Sequence, residues 1–391
     1  MSLGGTTAAV GVASRIHVLG AGAVGLLFAA HLRQSGYPIT VHLRSQDSVD
    51  RFSQNGSQIG VVNDWIRSHP TRKLLLNSGP NVSIAPWRVT DVQAEALSDN
   101  GTSPEKIKRL ILATKAQDTL QAYWSVKSRL CSQSTVVLLQ NGMGMYEAIQ
   151  REFYPSSHQY QKETAAEIPT FVIGANSHGC LRKPTEDNDF VTHHTAIGSC
   201  QFAIRPSLLN PPPKLPQSAL DMLTALGSTG LDVTVTNWSD LHHRLLLKLA
   251  ANAIINPVTA LADCRNGYLA APPADSSTQC IDQGYYESMQ SYMSSACAEI
   301  SAIYARAHPH LHGELTAQAI EDYVLHIARI TARNCSSMLQ DVSSGRQTEV
   351  EWINGYLVRL GKQHGVPTPV NTLLYTLVKL KEAARHHSAY E

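Results

Sequence analysis

Three polar residues recur at intervals of four in the apolar segment KLAANAIINPVTAL: Lys248, Asn252 and Asn256. In an α-helix each lies about 40° further round the axis than the one before, so the three side chains share one stripe. An ammonium and two carboxamides in an apolar helix cost free energy unless a polar group binds them. The stripe therefore indicates a site for a ligand with hydroxyl, carbonyl and carboxylate groups. The alternative is a lysine that extends to solvent beside two asparagines that bind neighbouring loops.

A second pattern is a glycine-rich turn between a predicted strand at 16–19 and a predicted helix at 26–34. Its residues are Gly20, Ala21, Gly22, Ala23, Val24 and Gly25. This context is the one that a dinucleotide-binding turn requires. Gly20 would permit the tight turn, Gly22 would leave room for a pyrophosphate, and Gly25 would let helix and strand pack closely. The helix N-terminus would offer unpaired N–H groups to the phosphates. The alternative is an ordinary strand–helix turn that happens to be rich in glycine.

The end of the next predicted strand indicates which nicotinamide cofactor the turn would bind. A site for NAD has Asp or Glu about 20 residues after the glycines, where it accepts hydrogen bonds from the ribose 2′-hydroxyl. Here the strand ends in Leu43-Arg44-Ser45, with no acid before Asp47. Because a guanidinium and a hydroxyl complement a 2′-phosphate, we predict NADPH rather than NADH. The alternative is a solvent-exposed arginine at a strand end.

The order of predicted elements divides the chain into two kinds of structure. Strand, glycine turn, helix and strand make a βαβ unit, and alternating strands and helices follow it. Five prolines in residues 203–216 mark a connection, and helical periodicity dominates after it. We therefore predict a flexible tail at 1–14, a Rossmann-type α/β domain that binds NADP at 15–216, and an all-α substrate and catalytic domain at 217–391.

Composition excludes several classes of partner. The 391 residues include 32 Lys and Arg against 31 Asp and Glu, and the net charge of +1 argues against nucleic acid. No run of about 18 or more uninterrupted apolar residues occurs, which argues against a membrane span. The long apolar helices predicted in the second half could pack within one chain or between two. A homodimer is therefore possible.

Cysteine and histidine usage bears on metals and on the cellular compartment. The seven cysteines are scattered and form no CxxC pair, which argues against a disulfide framework and a thiolate zinc site. His308, His310 and His312 lack an acidic or cysteine partner nearby, so we expect them to be exposed and predict no metal. The first 14 residues lack the features of a secretory signal. We expect a cytoplasmic protein, with a mitochondrial location as the alternative.

A further polar cluster, SSMLQDVSSGRQTEVE, occupies residues 336–351. Thr348 and Glu351 have the spacing of a capping box, which would be a sufficient structural explanation for Glu351. Glu349 would be favoured in a first helical turn by the helix dipole alone. The local pattern therefore requires no catalytic role for Ser337 or Glu349.

Six segments together resemble the ketopantoate reductase (2-dehydropantoate 2-reductase) family. They are GAGAVG at the glycine turn, ATKAQDT around Lys115, LLQNGMG around Asn141, KLAANAIINPVTAL, SSMLQDVSSGRQTEVEWINGYLV and HGVPTPVNTLLYTLVK. These segments occur in the family's order and extend from Ile16 to Glu382. Relative to the family, residues 60–105, 150–165 and 203–216 look like insertions.

The resemblance implies a fold and an activity. The fold would be a Rossmann-type domain followed by a helical domain like the C-terminal domain of 6-phosphogluconate dehydrogenase. The activity would be NADPH-dependent reduction of 2-dehydropantoate to pantoate, in pantothenate and coenzyme A biosynthesis. Lys248 would be the general acid that protonates the carbonyl oxygen. Glu349 would stand near Lys248 and hold it in position, because a nearby carboxylate favours the charged ammonium.

The same resemblance implies roles for the remaining site residues. Asn252 and Asn256 would bind the hydroxyl end of a small 2-keto acid, and Ser337 would bind its carboxylate. Asn141 would touch both substrate and cofactor near the nicotinamide. Besides the six residues of the glycine turn, the implied cofactor contacts are Arg44 at the 2′-phosphate, Lys115, Asn141 and Glu349.

Two alternatives to this activity stay open. The insertions could reshape the pocket of a family member that reduces a different 2-keto acid. A non-catalytic relative, such as a mitochondrial regulatory factor, could keep the fold as a binding module. A decayed site would be expected to lose some of its residues. The argument against such a module is therefore the joint presence of Lys248, Asn252, Asn256, Ser337 and Glu349.

Overall fold

The computed structural model forms two compact units, here named the sheet unit and the helical unit. The sheet unit comprises Met1–Gln140 and Ala148–Trp238, and the helical unit comprises Asn141–Glu147 and Ser239–Glu391. The described residues are 14–68, 87–97, 105–154, 168–185, 187–207, 214–270 and 283–387. Several parts of the sequence predictions lie outside them. These are residues 1–13 of the tail, residues 69–86, 98–104, 155–165 and 208–213 of the insertions, and residues 166–167, 186, 271–282 and 388–391 of the two predicted domains.

The sheet unit extends further along the chain than the predicted domain boundary at residue 216. The helix Gln217–Gly227 and the strand Val233–Val235 belong to this unit. The strand Val233–Val235 pairs in parallel with the strand Cys200–Ile204 and so extends the sheet by one strand. The division between the units therefore follows Trp238.

The part of the sheet unit that the structure describes contains twelve strands in two sheets. They are β1 (Ile16–Leu19), β2 (Ile39–Leu43), β3 (Ile59–Asn63), β4 (Trp87–Val89), β5 (Gln93–Ala96), β6 (Arg109–Leu112), β7 (Thr135–Leu138), β8 (Thr170–Asn176), β9 (Gly179–Arg182), β10 (Val191–Ala196), β11 (Cys200–Ile204) and β12 (Val233–Val235). The main sheet has the order β12-β11-β8-β7-β6-β1-β2-β5, and every pair from β8 to β5 is parallel. Because the chain proceeds from β1 to β2 on one side and returns to β6 on the other, the predicted Rossmann-type α/β fold is confirmed.

The sheet unit contains helices that cover the buried strands. They are α1 (Ala23–Gln34), α2 (Gln46–Gln54), α3 (Trp65–Ser68), α4 (Ala116–Lys127), α5 (Met145–Phe153), whose first residues belong to the helical unit, and α6 (Gln217–Gly227). Strands β1, β2, β6 and β7 are buried along their whole length, as expected for a parallel sheet with helices on its faces.

A small second sheet, with the order β4-β3-β10-β9, was not predicted from the sequence. Its strand β10 reads VTHHTA and lacks the apolar run that marks a buried strand. The Thr192 hydroxyl of β10 donates a hydrogen bond of 2.9 Å to the backbone oxygen of Ala23, the first residue of α1. This sheet therefore attaches to the N-terminal end of the helix that follows the glycine turn.

The helical unit confirms the predicted all-α second half. Its helices are α7 (Trp238–Ala262), α8 (Gln283–Ala307), α9 (Ala317–Ile330), α10 (Ser337–Ser343), α11 (Asn354–Gln363) and α12 (Pro369–His387). Helix α7 supplies the centre of the apolar core, through buried residues such as Leu246, Ala250 and Ile254. By length and composition alone α7 could cross a membrane, because an 18-residue stretch of it has a mean hydropathy of 1.6. However, 61% of this stretch is buried in the protein, and the core helix of a globular domain can have the same length and composition.

Helix α7 contains a proline whose missing N–H is compensated by another helix. Pro257 cannot donate to the carbonyl of Ala253, four residues earlier. The Asn354 side chain donates to that carbonyl at 2.9 Å and also to Asn371 Oδ1 at 2.9 Å. Asn371 in turn donates to Glu299, whose carboxylate also accepts from the backbone N–H of residues 370 and 371. All three side chains are buried, so this network joins α7, α8, α11 and α12 at one point.

We expect Asn354→Ala to lower the free energy of unfolding by about 1–3 kcal/mol, because it leaves the buried Ala253 carbonyl without a donor. In a Pro257→Ala background the restored N–H can bind that carbonyl, so the same substitution should cost about 1 kcal/mol less. Urea unfolding followed by circular dichroism measures both values. Gln363→Ala, on the exposed surface of α11, is the control. Equal costs in the two backgrounds would contradict the compensation.

Candidate functional site

The glycine turn lies where a nucleotide site is expected in a doubly wound sheet. It follows β1 at the point where the strand order reverses, between β2 and β6. Gly20 has a φ of +108°, and a Cβ there would lie 2.6 Å from the backbone N of Thr114. A Cβ on Gly25 would lie 2.0 Å from the carbonyl oxygen of Gly20. These two positions therefore require glycine for the turn and for its packing, for the reasons predicted from the sequence.

The middle glycine differs from the other two, because it faces open space. A Cβ on Gly22 would meet no heavy atom within 4 Å, and its φ of −79° is accessible to any residue. Gly22 is the N-cap of α1, and no side chain caps this helix end. The open space beside the free N–H groups of a helix N-terminus fits a pyrophosphate.

Arg44 lies at the carboxyl end of β2, one strand from the glycine turn. Its side chain is 85% exposed, and its Nη2 is 3.0 Å from Asp118 Oδ2 in the first turn of α4. The Ser45 hydroxyl, which was predicted to complement a 2′-phosphate, accepts a hydrogen bond from the Ser48 N–H and so caps α2. Arg44 is therefore exposed enough to bind a phosphate. Ser45 already has a structural role, because it caps α2.

Lys115 follows β6 on the other side of β1 and is the N-cap residue of α4. Its backbone oxygen accepts a hydrogen bond of 2.9 Å from the Thr119 hydroxyl, and the Thr114 and Thr119 hydroxyls are 2.9 Å apart. These contacts hold the start of α4 against the end of β6. Lys115 thus lies on the same carboxyl edge of the sheet as the glycine turn and Arg44.

The polar stripe predicted from the sequence lies on α7 in the helical unit. Asn256 is only 7% exposed, and Lys248 and Asn252 are half-buried. Among the residues that the structure describes, neither the Asn252 nor the Asn256 carboxamide has a hydrogen-bond partner. The carboxamide atoms of these two residues are not completely buried, so a polar ligand that enters from solvent can reach them. The alternative in which the two asparagines bind neighbouring loops does not describe this structure.

Helix α10 is attached to the end of α7 by a pair of hydroxyls. Thr259 Oγ1 and Ser336 Oγ are 2.7 Å apart, and both residues are buried. Ser336 also caps α10 by accepting from the Leu339 N–H. Ser337, the predicted carboxylate ligand, is the exposed first residue of this helix. The buried Ser336 thus fixes Ser337 relative to α7.

Glu349 and Asn141 are brought together within the helical unit, although they are far apart in sequence. The Asn141 carboxamide donates to Glu349 Oε2 at 3.2 Å, and Glu349 is 5% exposed. The loop after Asn141 is held by the Met143 N–H, which donates to the Trp352 carbonyl at 3.0 Å. Gly142 is required there, because its φ is +81° and a Cβ would lie 2.3 Å from the same carbonyl oxygen.

The predicted capping box at Thr348 and Glu351 was wrong. The Thr348 N–H donates to Glu382 at 2.7 Å, and the Thr348 hydroxyl accepts from the Val350 N–H. The Glu351 carboxylate instead accepts from the Tyr375 hydroxyl at 2.6 Å and forms an ion pair with Arg359. Partners from later helices therefore outcompete the local cap.

The described residues contain one cluster with the composition of a metal site, in the sheet unit. Ligand atoms of His17, His42 and Glu95 lie within 4.8 Å of one another. Burial, with the neighbouring His42, lowers the pKa of His17 to about 3, and burial lowers the pKa of His42 to about 4. Arg129 donates to the Glu95 carboxylate at 2.8 Å, and a cation would have to displace this guanidinium. The contacts within the protein, a His17–His42 hydrogen bond of 3.0 Å and the Arg129–Glu95 ion pair, therefore explain the cluster.

The three histidines at 308–312 differ in their exposure. His310 and His312 are exposed, as expected. His308 is half-buried, and its ring packs against His242 with centroids 4.8 Å apart. The expectation of exposure was therefore wrong for His308.

Comparison with known proteins identifies relatives for both units. The family model described as ketopantoate reductase PanE/ApbA matches residues 16–206, and the model of its C-terminal domain matches residues 240–382. The chain is 27% identical over 373 residues to 2-dehydropantoate 2-reductase of Escherichia coli O157:H7, with 94% of this chain and 95% of the relative covered. It is 26% identical over 385 residues to the Saccharomyces cerevisiae enzyme, with coverages of 89% and 88%.

Solved structures with the same fold include enzymes that are named for two different acids. The structure of D-mandelate dehydrogenase with NADH and anilino(oxo)acetate has a TM-score of 0.66 at 20% identity and covers 95% of this chain and 99% of its own. A 2-dehydropantoate 2-reductase of Methylococcus capsulatus has a TM-score of 0.64 at 18% identity, with coverages of 95% and 97%. The resemblance of the six sequence segments is therefore confirmed for the family and for the fold.

Gly22 and Gly25 have different surroundings, so an alanine substitution at each position should have a different effect. We expect Gly22→Ala to change the melting temperature little and to weaken NADPH binding roughly tenfold, because its methyl group enters the space for the pyrophosphate. Gly25→Ala should lower the melting temperature strongly, because its methyl group overlaps the Gly20 carbonyl. Thermal unfolding and NADPH fluorescence titration measure the two effects. Unchanged NADPH affinity in Gly22→Ala would argue against a pyrophosphate beside this turn.

Proposed function

The chain belongs to the ketopantoate reductase PanE/ApbA family, and from this premise we propose that it reduces 2-dehydropantoate to pantoate with NADPH, a step of pantothenate and coenzyme A biosynthesis. The observation that carries the proposal is the stripe of Lys248, Asn252 and Asn256 on α7, with two carboxamides that have no partner among the described residues. Such a stripe suits a small molecule with a carbonyl and a hydroxyl group.

The sheet unit would hold the cofactor through its carboxyl edge. The open space at Gly22 and the N-terminus of α1 fit the pyrophosphate, and Arg44 fits a 2′-phosphate. Lys115, on the same edge, would contribute a second positive charge. When bound, NADPH supplies the hydride for the substrate carbonyl.

Lys248 would act as the general acid of the reaction. Reduction of a 2-keto acid places negative charge on the carbonyl oxygen, and an ammonium directed at this oxygen stabilises the charge and donates the proton. Lys248 is half-buried between Leu247 and Leu249, which both pack in the apolar core. This partial burial would strengthen the interaction of the ammonium with the oxygen. Glu349, held by Asn141, would contribute the negative charge that keeps the ammonium in place.

The remaining polar groups would orient the substrate. Asn252 and Asn256 each offer a carboxamide that both donates and accepts hydrogen bonds, as a substrate hydroxyl requires. Ser337, at the exposed start of α10, would bind the carboxylate. These residues are fixed by the buried contacts of Ser336 and Asn354, so little conformational freedom would be lost when the substrate binds.

A second candidate is the reduction of a different 2-keto acid. The structural similarity to D-mandelate dehydrogenase favours this possibility, because its name indicates an aromatic 2-hydroxy acid. Steady-state kinetics with ketopantoate, ketoisovalerate, pyruvate and phenylglyoxylate distinguishes the two. We expect the highest kcat/KM with ketopantoate, because only this acid has a hydroxyl for the two asparagines. Comparable values for the acids without a hydroxyl would contradict the substrate, and no NADPH consumption with any acid would favour a non-catalytic relative.

We expect Lys248→Ala to lower kcat by about 10²–10⁴-fold, because it removes the proton donor. The dissociation constant of NADPH should stay near that of the wild type. Single-turnover absorbance at 340 nm measures the chemistry, and NADPH fluorescence measures the binding. Lys362→Ala removes an exposed lysine of the same unit and is the control. A Lys248→Ala variant that retains near-normal turnover would remove Lys248 from the mechanism.

A further inference from the structure

The exposed ion pair between Arg44 and Asp118 crosses the carboxyl edge of the main sheet. Arg44 follows β2, whereas Asp118 lies in the first turn of the helix that follows β6. Since β1 lies between β2 and β6, the pair passes over the end of the strand that leads into the glycine turn. Arg44 Nη2 and Asp118 Oδ2 are 3.0 Å apart, and the side chains are 85% and 44% exposed.

The ion pair brings a carboxylate within hydrogen-bond distance of the side chain that follows β2, the strand after which an NAD site has its acid. In such sites an acid at the end of the second strand accepts hydrogen bonds from the ribose 2′-hydroxyl. Here the end of β2 carries Arg44 instead, but an acid that is 74 residues later contacts the same guanidinium. A phosphate that approaches Arg44 therefore also approaches the negative charge of Asp118.

We propose that Asp118 sets the cofactor preference by competing with the 2′-phosphate of NADPH for Arg44 and by accepting a hydrogen bond from the ribose 2′-hydroxyl of NADH. The proposal rests on the proposed function, in which Arg44 binds the 2′-phosphate. Exposed ion pairs are weak, so Arg44 can exchange Asp118 for a phosphate. The carboxylate then repels the phosphate through water, and it does not repel NADH in the same way. The preference for NADPH over NADH is therefore smaller than Arg44 alone would give.

If Asp118 only stabilised its helix, a substitution of Asp118 would have a different effect. An acid in the first turn of a helix is favoured by the helix dipole, and its loss affects stability. It would not change the ratio of the two dissociation constants. The ratio of the NADH and NADPH dissociation constants is therefore the informative measurement.

The test compares wild type and Asp118→Asn by fluorescence titration with NADPH and with NADH, at low ionic strength. We expect NADPH to bind about fivefold more tightly to the variant, from the loss of one like charge near the phosphate. NADH should bind more weakly, because the amide oxygen of Asn is a weaker acceptor for the 2′-hydroxyl than a carboxylate, and unchanged NADH binding would contradict this hydrogen bond. Asp91→Asn is the matched control, because it removes the acid of another exposed pair, Arg33–Asp91 at 3.2 Å, from the same unit.

Several outcomes would overturn the proposal. One is an Asp118→Asn variant with unchanged dissociation constants or weaker NADPH binding, and another is an equal change in Asp91→Asn. A gain in NADPH affinity that persists undiminished at high salt would indicate a change of shape instead of charge. If the ratio changes as expected but no 2-keto acid is reduced, the proposed function fails and the role of Asp118 stands. If wild type binds neither nucleotide, both fail.

Discussion

The helical unit depends on one constraint, which is that α7 must bury its apolar surface and still carry polar groups and a proline. Pro257 leaves the Ala253 carbonyl without its helical donor, and a buried carbonyl needs a partner. The Asn354 carboxamide supplies that partner and is itself fixed by Asn371 and Glu299. The position of α11, and of the segment before it that carries Glu349, is therefore set by a hydrogen bond to the backbone of α7.

The sheet unit depends on a comparable constraint of close approach. At the reversal of strand order, α1 can pack against β1 only if its first turn touches the glycine turn backbone directly. Gly25 and Gly20 allow this contact, whereas Gly22 leaves the space in front of the helix open. The three glycines thus allow the close packing of α1 and also leave a site open for an anion. The small second sheet adds a hydrogen bond to the first residue of the same helix.

The features of the fold that the sequence predicts correctly are those that leave a local pattern. The glycine turn, the parallel sheet and the stripe on α7 follow from spacing within a few residues. The sequence could not show that Asn354 compensates for Pro257, although a proline inside an apolar helix indicates that some donor must do so. The predicted capping box was wrong because the Glu351 carboxylate binds Arg359 of α11 and Tyr375 of α12. The local spacing of Thr348 and Glu351 does not indicate these contacts. The second sheet was missed because its strands are short and partly polar.

The groups that fix the site and the groups that would contact ligand differ in how their hydrogen bonds are satisfied. The side chains of Ser336, Asn354 and Asn371 are buried and each forms a hydrogen bond within the protein, through Nδ2 alone in the case of Asn354. Their contribution to stability does not depend on a ligand. Asn252 and Asn256 have no partner among the described residues, and their carboxamides are not completely buried, so both are available to a ligand. Under the proposed function, substituting the second kind would change which ligand binds with little effect on the fold. One fold could then serve enzymes named for different acids, as in the two solved structures at 18–20% identity, through changes in a few side chains.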